Sequence, residues 1–293
     1  MRVLNSEKNI TVMSKMNEPV YQIKTSEVVV VKTLDCFSGK IKKGNQLLKD
    51  LAWNLINPAT GPIYIDGSKK GDILKISILD IVIDKMSVVL SETEDMDKYD
   101  YKSKEESLFV EICNNNAKIS NDISIPIKPM IGVIGTAPLN EDVPTTLPGL
   151  HGGNMDNTHI TAGSVVYLPV NHDGALLALG DLHALMGNGE SIGSGLEVAG
   201  EVTLCVEILR NVSLPLPMVE TEEVIETVAS STTLDEAAAM SVKNMLKYLT
   251  DNIGLSKEEA WKLSAACANV EICQFANALK TVRCTINKDL LRT

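Results

Sequence analysis

The chain reads as mainly β: a β-sandwich core followed by a smaller C-terminal α+β portion containing two helices. Three observations predict this. From Leu196 to Ile208, apolar Leu196, Val198, Val202, Leu204, Val206 and Ile208 alternate with Glu197, Glu201, Thr203 and Glu207, the two-residue period of a half-buried strand. From Ile73 to Ile83 most residues are apolar or β-branched, as in a strand covered on both faces. Helix starts come only near the end, where Thr233–Glu236 and Ser256–Glu259 read S/T-x-x-E, the capping box. A soft boundary near residue 215 separates a sandwich over 1–215 from an α+β portion over 216–293 packed on it, unless the two form one continuous domain.

The elements follow in order. Val28–Val31 is a β-branched run too short for a helix, and it leads into Leu34-Asp35-Cys36-Phe37-Ser38-Gly39. Asn57-Pro58-Ala59-Thr60-Gly61-Pro62 is turn chemistry, and Ile63–Ile65 is a short strand after it. Residues 91–107 are acidic, lysine-dotted and aperiodic, which predicts an exposed loop. Met130–Thr136 is a strand whose glycines permit close backbone approach. Ser164–Val170 and Ala175–Leu179 read as strands joined by Asn171-His172-Asp173-Gly174, where Asp-Gly signals a hairpin. The first helix presents Leu234, Ala238, Val242, Met245 and Leu249 on one face, and Gly254 separates it from the second. Val270–Cys273 and Thr281–Ile286 are final strands.

Composition narrows the function. Lys plus Arg total 27 against 38 Asp plus Glu, a formal net charge of -11, which repels phosphate backbones and anionic membranes. Aromatics are only 4% of residues, so Ile, Val, Leu, Met and Ala must fill the core. The six cysteines show no CxxC pair or regular spacing, hence no disulfide framework and no thiolate zinc site. No apolar h-region opens the chain and no apolar run reaches the roughly 18 residues of a spanning helix. A cytoplasmic protein with no nucleic-acid or membrane partner is expected.

The chemistry gathers between Leu147 and Glu197, which holds all four histidines, His151, His159, His172 and His183. Asp181-Leu182-His183 follows directly from an apolar strand. Residues i and i+2 of an extended chain share a face, so this pair suits either two metal ligands or an acid orienting a histidine base. Glycines at 187, 189, 193 and 195 let the next loop wrap around a ligand. His151 and Asp156 flank Gly152-Gly153-Asn154, a turn tight enough to bring both to one point. His172 sits in a turn and is expected to be solvated, and His159 reads as structural. Glu197 emerges from the glycine loop and is a stronger candidate than Glu201 or Glu207, which read as a solvated sheet face. Asp35 ends a strand and could reach the site from the N-terminal half. Gly189-Glu190-Ser191-Ile192-Gly193 matches G-x-S-x-G, but a strand follows it and no histidine lies downstream of His183, so the hydrolase triad cannot be built. No Walker loop or G-x-G-x-x-G spacing supports nucleotide binding, so no organic cofactor is expected.

With these residues in hand, the sequence resembles the acetamidase/formamidase family. The matching stretches are Thr33–Gly39, Asn57–Pro62, Met130–Gly135, His151-Gly152-Gly153-Asn154-Met155-Asp156 and Gly180-Asp181-Leu182-His183-Ala184, continuing to Gly187-Asn188-Gly189-Glu190. They span most of the chain in the family's order. The resemblance implies a β-sandwich, hydrolysis of short carboxamides such as formamide and acetamide to acid and ammonia, and divalent metal at the site. On the chemistry of the matched residues, His151, Asp156, Asp181 and His183 are expected to hold one or two divalent ions, with Asp35 a further candidate ligand. Zinc suits the mixed imidazole and carboxylate set, and calcium an all-oxygen neighbour. Glu190 or Glu197, with His183, would handle protons. A homo-oligomer, dimer or tetramer, is expected. Two rivals stand beside this reading: metal-free hydrolysis by Ser191 or a cysteine, and a non-catalytic sandwich that binds a small metabolite.

Overall fold

The computed structural model describes residues 1–91 and 96–291. Among them, β-branched and aliphatic runs form two large sheets. A nine-stranded sheet runs, in spatial order, Arg2–Leu4, Val28–Thr33, Gly200–Leu209, Ile73–Ile83, Val165–Pro169, Met218–Glu220, Val224–Ser231, Lys280–Asn287 and Asn269–Gln274. A twelve-stranded sheet has Leu177–His183 near its middle, flanked by Met130–Gly135 on one side and by Ala59–Ile65 and Glu197–Val198 on the other. Residues of both sheets form one core: Val29, Val31, Leu74, Ile76, Val202 and Leu204 from the first meet Ile63, Ile131, Ile134, Leu177 and Leu179 from the second. The fold is the sandwich expected from the alternating and apolar runs.

The helices are α1, Leu234–Asp251, and α2, Lys257–Cys267. Ser256 and Glu259 form the full reciprocal capping box. Thr233 caps α1 by accepting from the Glu236 N–H, but the Glu236 carboxylate turns back to the Ser231 and Thr232 hydroxyls instead. The buried stripe of α1 is Ala237, Ser241, Met245 and Leu249, rotated slightly from the expected face, because small Ala237 and Ser241 let the helix close on the sheet. There the Thr227 hydroxyl donates to the Ser241 carbonyl at 2.7 Å. Met245 and Leu249 then complete a second core with Met218, Ile225, Cys284 and Ile286.

Three expectations change. The strands flanking Asn171–Gly174 are not a hairpin: Val165–Pro169 pairs in the nine-stranded sheet, while Leu177–His183 pairs in the other. Both are apolar on both faces, so each finds a full set of neighbours in a different sheet and the turn becomes a crossing between layers. The alternating run 196–208 likewise splits at Ala199 into Glu197–Val198 in the twelve-stranded sheet and Gly200–Leu209 in the nine-stranded sheet. At Gly200 a Cβ would lie 2.5 Å from the Val82 carbonyl oxygen, so only glycine permits the change of sheet. Ala59–Pro62, read as part of a turn, already belongs to the strand Ala59–Ile65. Of the expected exposed loop 91–107, residues 92–95 lie outside the described residues. Ser91 ends a strand, Met96 is buried and Glu106 starts the next strand.

All six cysteines are free, and among the described residues no helix is long and apolar enough to cross a membrane. Leu249, fully buried in the second core, tests the packing of α1. Leu249→Ala should lower unfolding free energy in urea by about 2–5 kcal/mol, whereas Trp261→Ala on the exposed face of α2 should stay within about 0.5 kcal/mol.

Candidate active site

The strand Leu177–His183 is buried along its whole length, and its end carries Asp181 and His183. Register places His183 opposite Glu197 on one neighbouring strand and opposite Met130 on the other. The His183 Nε2 atom lies 3.6 Å from Asp181 Oδ1 and 3.2 Å from Glu197 Oε2. Glu197 is held at its other oxygen, Oε1, which accepts the Gly195 N–H at 3.0 Å. Asp181 Oδ2 accepts from Asn57 Nδ2 at 3.0 Å, and Asp156 Oδ2 accepts from Asn277 Nδ2 at 3.4 Å.

Gly132, on the strand between Asp156 and Asp181, decides whether the two carboxylates can meet. A Cβ there would lie 2.6 Å from Asp156 Oδ1 and 2.7 Å from Asp181 Oδ2. The backbone is also shaped locally. Asn57, Asp156, Asp181 and Glu190 all have positive φ, +48°, +45°, +56° and +48°, a region that non-glycine residues enter at a cost and that clusters at functional sites.

The result is two donor groups whose ligand atoms lie within 4.8 Å of one another: Asp156, His183 and Glu190, and Cys36, Asp181 and Glu197. All are buried, and none of the five carboxylate and imidazole residues is more than 7% exposed. Asp181, Glu190, Glu197 and Cys36 line a chamber of about 220 Å³ with Asn57, Asn154 and Asn277. Four carboxylates packed this tightly cannot all ionise without a counter-charge. Burial, and then the charge of Asp181, pushes Asp156 up to about 7. Burial and Asp156 push Glu190 well above the usual carboxylate range, and burial raises Glu197. Desolvation opposes the His183 imidazolium, yet Glu197 and Asp181 hold its pKa well above normal. Asp156 Oδ1, His183 Nδ1 and Glu190 Oε2 are buried without a hydrogen-bond partner, and Glu197 Oε2 has the His183 Nε2 contact. An anionic cluster with free lone pairs aimed inward suits a divalent cation.

Of the residues singled out from sequence, Asp156, Asp181, His183, Glu190 and Glu197 converge here. His151 belongs to neither group. It is buried beside a neighbouring cavity lined also by Leu147, Gly149 and Asn171, and desolvation lowers its pKa to about 4. Asp35 spends Oδ1 on the Phe37 and Gly39 N–H groups at 3.0 and 2.8 Å, shaping the turn that delivers Cys36. Glu201 and Glu207 pair with Lys32 and Lys75 on the sheet surface. His172 is tied to the Pro138 carbonyl at 2.9 Å rather than free in solvent. Ser191 is exposed, and burial followed by the Glu197 charge raises the Cys36 thiol well above its usual value, the opposite of an activated nucleophile.

Sequence reasoning missed the brace behind the site. Arg283, 1% exposed, donates from Nη1 to Asn157 Oδ1 at 2.6 Å and to Thr158 Oγ1 at 3.1 Å, and from Nη2 to Asn188 Oδ1 at 3.2 Å. Glu226 takes the Asn157 Nδ2 at 2.6 Å and faces His159 Nδ1 at 2.8 Å. One guanidinium thus clamps the segments carrying Asp156 and Glu190. The signal was an arginine alone in the apolar run Thr281–Ile286, since a buried charge demands partners. Asn57 and Asn154 were quoted within motifs but given no role.

The Acetamidase/Formamidase family model matches residues 16–146 and 140–282. An acetamidase of Bacillus halodurans superposes with a TM-score of 0.95 at 40% identity, over 98% of each chain. A predicted acetamidase/formamidase of Thermoanaerobacter tengcongensis gives 0.94 at 39% identity, over 99% of this chain and 96% of that one. A formamidase of Methylophilus methylotrophus is 39% identical over 72 residues, which is 24% of this chain and 18% of that protein. The match therefore spans under a fifth of this curated relative's length.

Gly132 supplies the test of the geometry. Gly132→Ala should force Asp156 and Asp181 apart by several tenths of an ångström in a crystal structure and lower the melting temperature. Gly187→Ala, where an added Cβ meets nothing within 4 Å, should do neither.

Proposed function

The chain belongs to the acetamidase/formamidase family, and from that premise we propose that it hydrolyses short aliphatic carboxamides, formamide and acetamide being the prototypes, with the help of a divalent metal ion. The observation that carries this reading is the buried cluster of Asp156, Asp181, His183, Glu190 and Glu197, in which Asp156 Oδ1, His183 Nδ1 and Glu190 Oε2 have no hydrogen-bond partner. The chamber of about 220 Å³ has room for a short amide.

Asp156, His183 and Glu190 would hold the ion, and their mixed nitrogen and oxygen donors suit zinc. Calcium takes oxygen ligands and would have to leave His183 or Cys36 out of either group. The bound ion supplies Lewis acidity, acidifying water and polarising a carbonyl. With Glu190 engaged as a ligand, Glu197 is the proton carrier. The Gly195 N–H fixes its Oε1, its Oε2 lies beside His183 Nε2, and the residue lines the chamber. Glu197 Oε2 takes one proton from the attacking water and passes it to the amide nitrogen as the C–N bond breaks, yielding the carboxylic acid and ammonia, and the acid's proton then passes to the ammonia to leave carboxylate and ammonium. Asn57 orients Asp181, and Asn277 orients Asp156.

The proposed assembly is a homo-oligomer, dimer or tetramer. Sedimentation of the purified chain should show a species of at least twice the monomer mass.

An ammonia-release screen over short amides, with and without chelator, tests the activity. Formamide or acetamide should be cleaved, and removal of a tightly bound divalent ion should abolish turnover; full activity of metal-free protein would end this reading. His183→Ala should lower kcat by at least about 10²-fold and reduce bound metal in the still-folded protein. His172→Ala, outside the chamber, should stay within a few-fold of wild type, and equal small effects of the two would move the site elsewhere.

A further inference from the structure

Asn154 ends the strand Gly152–Asn154 and is 4% exposed. Its register partner Val133 also pairs with Gly180, next to Asp181, and Asn154 lines the chamber together with Asp181, Glu190 and Glu197. The carboxamide is oriented, because Nδ2 donates to the Thr146 carbonyl at 3.4 Å. The other amide atom, Oδ1, is buried and without a hydrogen-bond partner, on a residue that lines the chamber. A buried acceptor left unmade costs about 1–3 kcal/mol, so this lone pair is a place for a donor.

The carboxylates of the chamber are committed to the cation and to moving the proton, and of its neutral side-chain acceptors, which include the amides of Asn57 and Asn277 and the Ser194 hydroxyl, Asn154 Oδ1 is the one that is both buried and without a hydrogen-bond partner. Asn154 Oδ1 is a neutral acceptor that never titrates. A primary amide brings two N–H donors on the nitrogen that must leave, and that nitrogen gains a proton and positive charge as the bond breaks. A neutral oxygen facing it accepts in the ground state and more strongly as the charge develops. An ester presents an oxygen at the same position, and its lone pairs would oppose Oδ1.

Resting on the proposed hydrolase reading, we propose that Asn154 Oδ1 accepts a hydrogen bond from the nitrogen of the substrate and so determines selectivity for primary carboxamides over esters of the same acid. Sites built to hydrogen-bond a substrate group reject analogues lacking it far more strongly than sites that sense only shape.

The test compares wild type, Asn154→Leu and Asn154→Ala on acetamide and methyl acetate, the ester followed by acetate release or, where it is not turned over, as a competitive inhibitor. Both variants should lose about 10- to 100-fold in kcat/KM on acetamide while the ester value stays within about threefold, with metal content by elemental analysis unchanged. The alanine variant serves where leucine disturbs the fold. Equal losses on amide and ester would reduce Asn154 to a structural role and overturn the proposal, as would no loss on either. Loss of bound metal would make Asn154 a ligand and overturn it too. A wild type that releases no ammonia from any primary amide would instead sink the hydrolase reading, and this inference with it.

Discussion

Everything in this fold serves the burial of four carboxylates and an imidazole in one small space. Moving such groups out of water costs several kcal/mol each, even after relaxation, and their mutual repulsion adds to that. The cluster persists because the end of the buried Leu177–His183 strand is closed over by the segments carrying Cys36, Asn57 and Glu190 and by the small apolar cluster of Cys36, Phe37, Ile41, Ile56 and Val88. The cost also appears in the local chemistry: raised carboxylate pKa values, unpartnered oxygens and left-handed backbone at Asp156, Asp181 and Glu190. Each is a cost that the proposed cation would offset.

The frame around the cluster is as specific as the cluster. Gly132 supplies the missing volume between two aspartates. Arg283 and Glu226, wholly buried and joined through Asn157, hold the Asp156 and Asn188 segments to the C-terminal strands. Because those strands extend the same nine-stranded sheet, the residues beyond 215 are tied mechanically to the chemistry before it. Removing one partner of such a buried ion pair costs more than the pair contributes net, so the brace acts through geometry as much as through energy.

Local signals carried different parts of the site unequally. Asp181 and His183 were legible because an apolar strand leads into them and i, i+2 spacing puts both on one face. Glu190 and Glu197 were visible as acids next to a glycine loop. For His151 the Gly-Gly turn pointed to the right neighbourhood, yet the ring opens on an adjoining cavity and only Asp156 reaches the cluster. Asp35 marked the right turn, but its visible work is to hold the loop, and Cys36 is the neighbour that faces the site.

Hydrophobic period and capping chemistry, which act over a few residues, were enough to determine the most regular strands, both helices and the mainly-β class, but not strands such as Glu106–Cys113 and Val224–Ser231. Which sheet each strand joins was decided by the tertiary structure, because an apolar strand is satisfied by any neighbour that covers it. The split of the 196–208 run shows the consequence. A continuous alternating strand would have left Glu197 in solvent with Glu201 and Glu207. The change of sheet at Gly200, where only a hydrogen fits against the Val82 carbonyl, turns Glu197 inward to His183. Spacing along the chain cannot encode that contact, since it depends on the approach of a backbone more than a hundred residues away.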